Sequence, residues 1–457
     1  MDDAQAAGLQ RPTLAPVGSR GRPQVPSLAV LLLVVIVIAL PVLLPRGPGN
    51  SVPADAAMLL FLAVAVAVLW ARRVRVEVPL GGSYLLIVLG GTLAVTRSVA
   101  PVEAGAVVLQ DLYIYLWFLA AVNLILLDGS DRLPRLVLAT WNLTATAIAL
   151  LVIAVGVTFP TIPYVFGWPM ATEYGRVMAM FRDPNMAGNY LVVSLFVLWA
   201  SPIPTHRRWK LLATLAFVLA IYHTHSITAL VTLVAGCVVG VIVASVVRRG
   251  AAVAAILVLV GIATVIVAFV PRDYFSGPQD TTELISNSDV FAGSLGRSNT
   301  SLSLRVLRWR DALMTFGDDI ILGIGASTSD MALRERGFPT SGEIHNDFIA
   351  GFIERGLLGG AGVIALFVVM TRRALQVGTD TALRRSGWRP SALVGAMVAV
   401  ILAGISLETL HFRHVWMLFA LITALGLRER RRGNYLDGAD RAGHIPPRPT
   451  MPERLLA

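Results

Sequence analysis

The chain has 457 residues, 56% of them hydrophobic and only 14% charged, with a mean hydropathy of +0.71. No soluble domain of this length is so apolar, because a folded surface needs polar cover. The net charge of +10 does not point to nucleic acid in such a chain, since arginine and lysine accumulate on the cytoplasmic loops of membrane proteins.

Apolar runs of about 15 to 21 residues recur along the sequence, the length needed to cross roughly 30 Å of hydrocarbon. They do not alternate apolar with polar positions, which excludes a barrel. The expected fold is therefore all-α: a polytopic membrane helical bundle of about twelve transmembrane helices. Residues 1–27 are polar and rich in Pro, Gly and Arg, and read as a disordered cytoplasmic tail. The next run lacks a small-residue cleavage site and reads as a retained helix. Spans fall at 28–44, 54–71, 84–96, 107–127, 136–157, 187–200, 211–222, 227–247, 251–270, 347–370, 391–407 and 415–427. Nine of them fill residues 28–270. A polar loop at 271–346 precedes three more in 347–427, and a basic tail occupies 428–457. Cys237 is the single cysteine, so no internal disulfide or cysteine metal site can form.

Charge supports this order of spans. With the first tail in the cytoplasm, the inner segments carry 25 of the 38 basic residues, and the short outer loops carry only Arg46, Arg97 and Arg413. That asymmetry predicts both termini inside. The other ten are Arg176, Arg182, Arg272, Arg297, Arg305, Arg308, Arg310, Arg334, Arg336 and Arg355, all outside or near the outer face. They read as a solvated basic surface or as an anion site, for which the planar guanidinium fork suits phosphate oxygens.

Three stretches carry candidate chemistry. Before the sixth span, Arg176, Phe181, Arg182, Asp183, Pro184 and Asn185 read as a helix start, with Asp at the cap and Pro in the first turn. The positive end of that helix, beside Arg176 and Arg182, suits a phosphate; the same residues suit a capped membrane helix with interfacial arginines. In the long loop, Leu302, Val306, Trp309, Leu313 and Phe316 recur at spacings of three and four. They predict a short amphipathic helix, an anchor on the membrane or a roof on the bundle, with Arg305 and Arg308 sharing a face near Trp309. The Gly323-Ile-Gly325 that follows reads as a tight turn rather than a phosphate loop.

The third stretch is His345-Asn346-Asp347, then Glu354-Arg355-Gly356 and Leu357-Leu358-Gly359. Asp347 and Glu354 are seven apart and share a helix face, with Glu354 expected about two turns deeper in the span. A carboxylate inside a membrane helix points to function or to pairing, here with Arg355 or an arginine of the roof. His345 suits a general base or a polar cap, and Glu354 remains an alternative base. His223, His225, Glu408, His411 and His414 lie in outer turns with no known ligand spacing and read as interfacial polar turns. Asp311, Asp318 and Asp319 are surrounded by arginine, which argues against a divalent ion there.

Taken in order, these three stretches resemble the O-antigen ligase and O-antigen polymerase superfamily. The resemblance covers Arg176 to about Gly360. It implies a polytopic glycosyltransferase whose donor is a polyprenyl-pyrophosphate-linked glycan and whose acceptor is a glycan or glycolipid, working in the bilayer without metal or other cofactor. It implies catalytic roles for Arg176, Arg305 and His345. Donor pyrophosphate would be bound by Arg176, Arg182, Asn185, Arg305 and Arg308, with support from Asn346, Asp347 and Glu354. Asp183 stands where many relatives have Asn, and Ala179 where many have Gly. A ligase and a polymerase share donor and loops. A lipid-linked glycan transporter, the reading from another class, would show charges at mid-membrane and an internal repeat.

Overall fold

The computed structural model describes residues 25–44, 51–159, 164–165, 168–172, 175–249, 300–338 and 342–441. The predicted ninth span at 251–270, the loop to 299 and most of both tails lie outside the described residues.

Fourteen α-helices are present among the described residues. They are α1 (Ser27–Ala39), α2 (Pro53–Ala71), α3 (Gly81–Val95), α4 (Pro101–Asp128), α5 (Arg132–Thr158), α6 (Pro184–Ala200), α7 (Arg207–Thr224) and α8 (Ile227–Arg249). Then come α9 (Thr300–Phe316), α10 (Ser329–Glu335), α11 (Asp347–Gly378), α12 (Thr381–Arg385), α13 (Ser391–Gly404) and α14 (Arg413–Arg441). Five of them (α2, α4, α5, α8 and α11) are long and apolar enough to cross a membrane, and α1, α3 and α13 are shorter apolar helices. The chain is thus a multi-pass membrane protein. One antiparallel ribbon of two-residue strands, β1 (Tyr164–Val165) and β2 (Trp168–Pro169), departs from the all-α expectation. It follows α5, which stops before Pro160, a residue unable to donate the next helical hydrogen bond.

Helix α6 is buried almost all round, which explains an apolar run with no polar face. Beside it, Trp141 donates to Ser194 Oγ at 2.8 Å. A second aromatic core stacks Tyr84 on Tyr115 at 4.0 Å, with Trp416 edge-on at 5.7 Å.

Helix ends gather in two groups. At one end, Asp55 at the start of α2 holds Arg413 at the start of α14 through two bonds of 2.6 Å, and accepts from Tyr113 of α4 at 2.6 Å. Asn189 of α6 meets His414 at 2.8 Å, and Thr228 of α8 meets Ser406 at 3.1 Å. At the other end, Arg428 pairs with Asp131 at 3.0 Å and Arg431 with Glu77 at 2.7 Å. The Arg389 N–H donates to the Ala200 carbonyl at 3.0 Å. Among the described residues, loops that the charge pattern assigns to one side meet one another at each of these two ends.

Helix α11 reverses on itself. Gly356 has φ 69° and ψ −173°, outside the helical region. The ring of Phe348 lies 5.3 Å from that of Phe367, although nineteen residues of straight helix would span about 28 Å. Residues 347–355 therefore pack antiparallel on 357–378. Glycines permit the contact: a Cβ on Gly360 would sit 2.3 Å from the Phe352 ring, and one on Gly359 2.2 Å from Arg355 Cβ. At the reversal, the carbonyls of Ile353 and Glu354, which lack helical donors, accept from the N–H groups of Ile324 and Gly325 at 3.0 and 3.1 Å. Gly323 and Gly325 have φ 82° and 109°, so the Gly-x-Gly is a turn that caps a broken helix. Glu354 does share the short segment with Asp347. It does not lie deeper along 357–378, because the chain turns back two residues later.

Candidate functional site

The helix start predicted before α6 forms as expected. Asp183 is the cap, accepting the Asn185 N–H at 2.7 Å, and Pro184 takes the first position. Asp and Asn serve equally as caps, so the Asp here does the same work. Ala179 has φ 49°, the left-handed region in which glycine is strain-free. Arg176 donates to Asn185 Oδ1 at 3.2 Å, and the same oxygen accepts from Ser226 Oγ at 2.9 Å. Asn185 is buried, so the three residues tie the loop to α6 and α8. Arg182 is half-buried directly before the cap.

The amphipathic helix predicted from Leu302 to Phe316 is α9. Its Trp309 indole donates to the Ile344 carbonyl at 2.8 Å. A Cβ on Gly342 would lie 2.7 Å from the Arg308 guanidinium carbon, so that group lies against the backbone just before His345. Arg305 precedes Trp309 by one helical turn and shares its face. The structure thus brings the Arg305–Arg308 face of α9 to the segment that carries His345. Arg176 sits in a separate cluster, joined to this one through α8: Thr228 bonds Ser406, and the Ile405 carbonyl accepts from Asn346 Nδ2 at 2.8 Å.

The supporting residues have structural partners. Asn346 caps α11, accepting from the Phe348 and Ile349 N–H groups at 2.9 and 3.0 Å. Asp347 accepts from Thr409 twice, at 3.0 Å from N and 2.5 Å from Oγ1, and from the Leu410 N–H at 3.3 Å. Glu354 accepts from the Ser327 N–H and from Ser329 Oγ, each at 2.7 Å, and so fastens the start of α10. The expected pairing of Glu354 with Arg355 or a roof arginine is not what forms. Arg355 instead pairs with buried Asp111 of α4. With both oxygens occupied, Glu354 suits a fastening role better than that of a base.

Two residues read as an ordinary polar turn join the site. His345 has φ 50°, and its N–H donates to Glu408 Oε1 at 3.3 Å. Its Nδ1 lies 3.5 Å from Glu343 Oε2, and His411 Nε2 lies 3.5 Å from Glu408 Oε2. Burial works against charge on His411, but the Glu408 hydrogen bond and the Asp111 and Glu408 carboxylates push its pKa up to about 9. Burial would raise the Glu408 carboxyl, but the bond and charge of His411 outweigh it and hold the carboxyl below its usual range. Partial burial, then Glu408, raise the Glu343 carboxyl. Side-chain atoms of Glu343, His345 and Glu408 lie within 4.8 Å of one another, the one grouping of this kind among the described residues. Both Glu408 oxygens already face donors, so the arrangement is a hydrogen-bonded chain from His411 to His345. Its sequence signal is weak: Glu408 and His411 are three apart in a turn, and only the fold brings them to His345.

An apolar groove of about 630 Å³ opens along α11 toward α13. Phe348, Ile364, Phe367 and Ile401 line it, with Arg372 and Thr379 further along α11.

Residues 212–364 match the family model described as O-Antigen ligase. That stretch holds α9, His345 and the reversal of α11, but neither the Arg176 cluster nor Glu408 and His411. No curated protein matches the chain. On this match residues 212–364, about a third of the chain, carry a domain of the O-antigen ligase family, which is of membrane glycosyltransferase type.

Proposed function

We propose that the protein moves a glycan from a polyprenyl-pyrophosphate donor to an acceptor hydroxyl on the extracytoplasmic face of the cell membrane, without a metal. The single observation that supports this reading is the clamp of α9 on residues 342–344: the Trp309 indole bonds the Ile344 carbonyl, and the Arg308 guanidinium lies against Gly342, three residues before His345. In this reading the acceptor oxygen attacks the anomeric carbon while the bond from that carbon to the pyrophosphate oxygen breaks. The departing diphosphate gains charge, and Arg305, Arg308, Arg176 and Arg182 oppose it; such fixed donors stabilise charge without reorganising at the moment of reaction. Asn185 holds Arg176 in place. His345 takes the hydroxyl proton on Nε2, with Nδ1 turned to Glu343. The prenyl tail lies in the groove between α11 and α13. The gathering of basic residues at the end of the bundle opposite His345 supports both termini being cytoplasmic.

The test is turnover of a lipid-pyrophosphate-linked oligosaccharide by the purified protein with chelator present, wild type beside Arg305→Ala and His345→Ala. Loss in both variants supports the assignment, and unaltered turnover in both removes it. Dependence on added metal removes the mechanism. A glycolipid acceptor supports a ligase, and a second donor molecule as acceptor supports a polymerase.

A further inference from the structure

We propose that Glu408, steadied by His411, is a positioning residue for His345, holding the backbone turn from which the imidazole reaches the acceptor hydroxyl. The inference rests on the reading of His345 as the group that takes the hydroxyl proton. It adds a second element to the site, from beyond the stretch that matches the family model.

The geometry is specific. His345 has φ 50°, a conformation that costs a side-chain-bearing residue energy unless its surroundings enforce it. The enforcing contact here is the Glu408 oxygen on the His345 N–H at 3.3 Å, supplied from 63 residues away. Glu408 itself stands on a turn fixed on every side. Asn346 bonds the Ile405 carbonyl at 2.8 Å, Thr228 bonds Ser406, Asp347 bonds Thr409, and the Trp416 indole donates to the Leu410 carbonyl at 2.7 Å. A base that must lie within hydrogen-bonding reach of one hydroxyl gains from such support, since small misplacements cost large factors in rate.

The second Glu408 oxygen faces His411. Around the pair stand Glu343 and His345 before α11, Asp347, Glu354 and Arg355 in α11, and Asp111 in α4. The His411 pKa is raised to about 9, so its charge, and the ion pair with Glu408, is held through neutral pH and lost as pH rises through about 9. An alkaline fall in turnover near pH 9 follows.

The experiment uses the purified full chain with a lipid-pyrophosphate-linked oligosaccharide, with and without chelator, and records kcat, donor KM, the pH profile and thermal unfolding. In Glu408→Ala, kcat is expected to fall about 30-fold with donor KM within about two-fold of wild type. Glu408→Gln is expected to recover most of that loss, because its amide oxygen still accepts the His345 N–H. In His411→Gln the alkaline fall near pH 9 is expected to vanish. The proposal is overturned by a normal kcat in Glu408→Ala while His345→Ala is inactive. It is also overturned if the loss only tracks the fraction unfolded and Gln does not restore it, or if chelator silences the wild type. Full turnover in His345→Ala removes the parent reading, and this one with it.

Discussion

Trp309 donates its indole N–H to the carbonyl of Ile344 at 2.8 Å, which pins helix α9 to the residue just before His345. Arg305 and Arg308 precede Trp309 by four residues and one on the same helix, so this bond fixes the helix that carries them against the segment that carries His345. Trp309→Phe keeps an aromatic ring and removes the donor. A hydrogen bond of this kind contributes about 1 kcal/mol, or roughly five-fold in the fraction of molecules with the segment aligned. A kcat lowered by about that factor, with donor KM little changed, is expected from steady-state kinetics on the purified variant. Wild-type kcat in Trp309→Phe removes the clamp from the argument.

Asp111 and Arg355 form an ion pair buried between α4 and α11, at 10% and 9% side-chain exposure. Removing one partner leaves a charge enclosed among apolar helices, which costs about 3–5 kcal/mol, more than the pair itself contributes. Asp111→Asn is therefore expected to lower the midpoint of thermal unfolding in detergent markedly. The double variant Asp111→Leu, Arg355→Met is expected to recover most of that loss, since no charge remains to be solvated. Equal destabilisation of single and double variants contradicts the account.

Much of this was legible in the sequence, and the residues show why. Asp183-Pro184 before an apolar run is a helix start by local chemistry alone, and it forms as read. Spacings of three and four around Trp309 give α9 for the same reason. The charge asymmetry groups the loops, and two it places together do meet, through Asp131 with Arg428 and Glu77 with Arg431. Three features depend on tertiary structure and left weaker traces. Asp55 and Asp111 are single carboxylates at the starts of apolar runs, and their arginines lie 358 and 244 residues away. Glu408 and His411 look like any interfacial turn until α13 returns them to His345. The reversal of α11 hides in an apolar run, where Gly356 followed by Gly359-Gly360 was its only mark.

That reversal gives a sharp contrast between two glycines. Gly356 holds φ 69° with ψ −173°, a region essentially reserved for glycine, and a Cβ there would lie 2.6 Å from the Ile321 carbonyl oxygen. Gly337 has φ 85° but nothing within 4 Å of an added Cβ. Gly337→Ala should cost about 1 kcal/mol of backbone strain and leave turnover close to normal. Gly356→Ala must in addition push the 321–325 turn away from α11, so folded yield and activity should both fall severely. Comparable yields for the two variants, measured by size-exclusion of the detergent-solubilised protein, contradict the reversal.

The proposed function seats the donor's prenyl tail in the groove between α11 and α13, and that seating can be tested. Leu375 lines the groove about 12 Å further along than Phe367, eight residues at the helical rise. A prenyl tail lying there buries methylene and methyl groups worth about 0.8 kcal/mol each, so blocking two of them costs roughly ten-fold in binding. Leu375→Trp fills that part of the groove, and the expected result is a donor KM raised about ten-fold with kcat at saturating donor unchanged. On the proposed function the bonds that change lie toward the other end, at His345, so kcat should hold. A donor with its tail cut to a few isoprene units ends short of Leu375 and should not distinguish the variant from wild type. If short-tailed and long-tailed donors lose affinity alike, the substitution acts through the helix rather than through the tail, and the tail runs elsewhere.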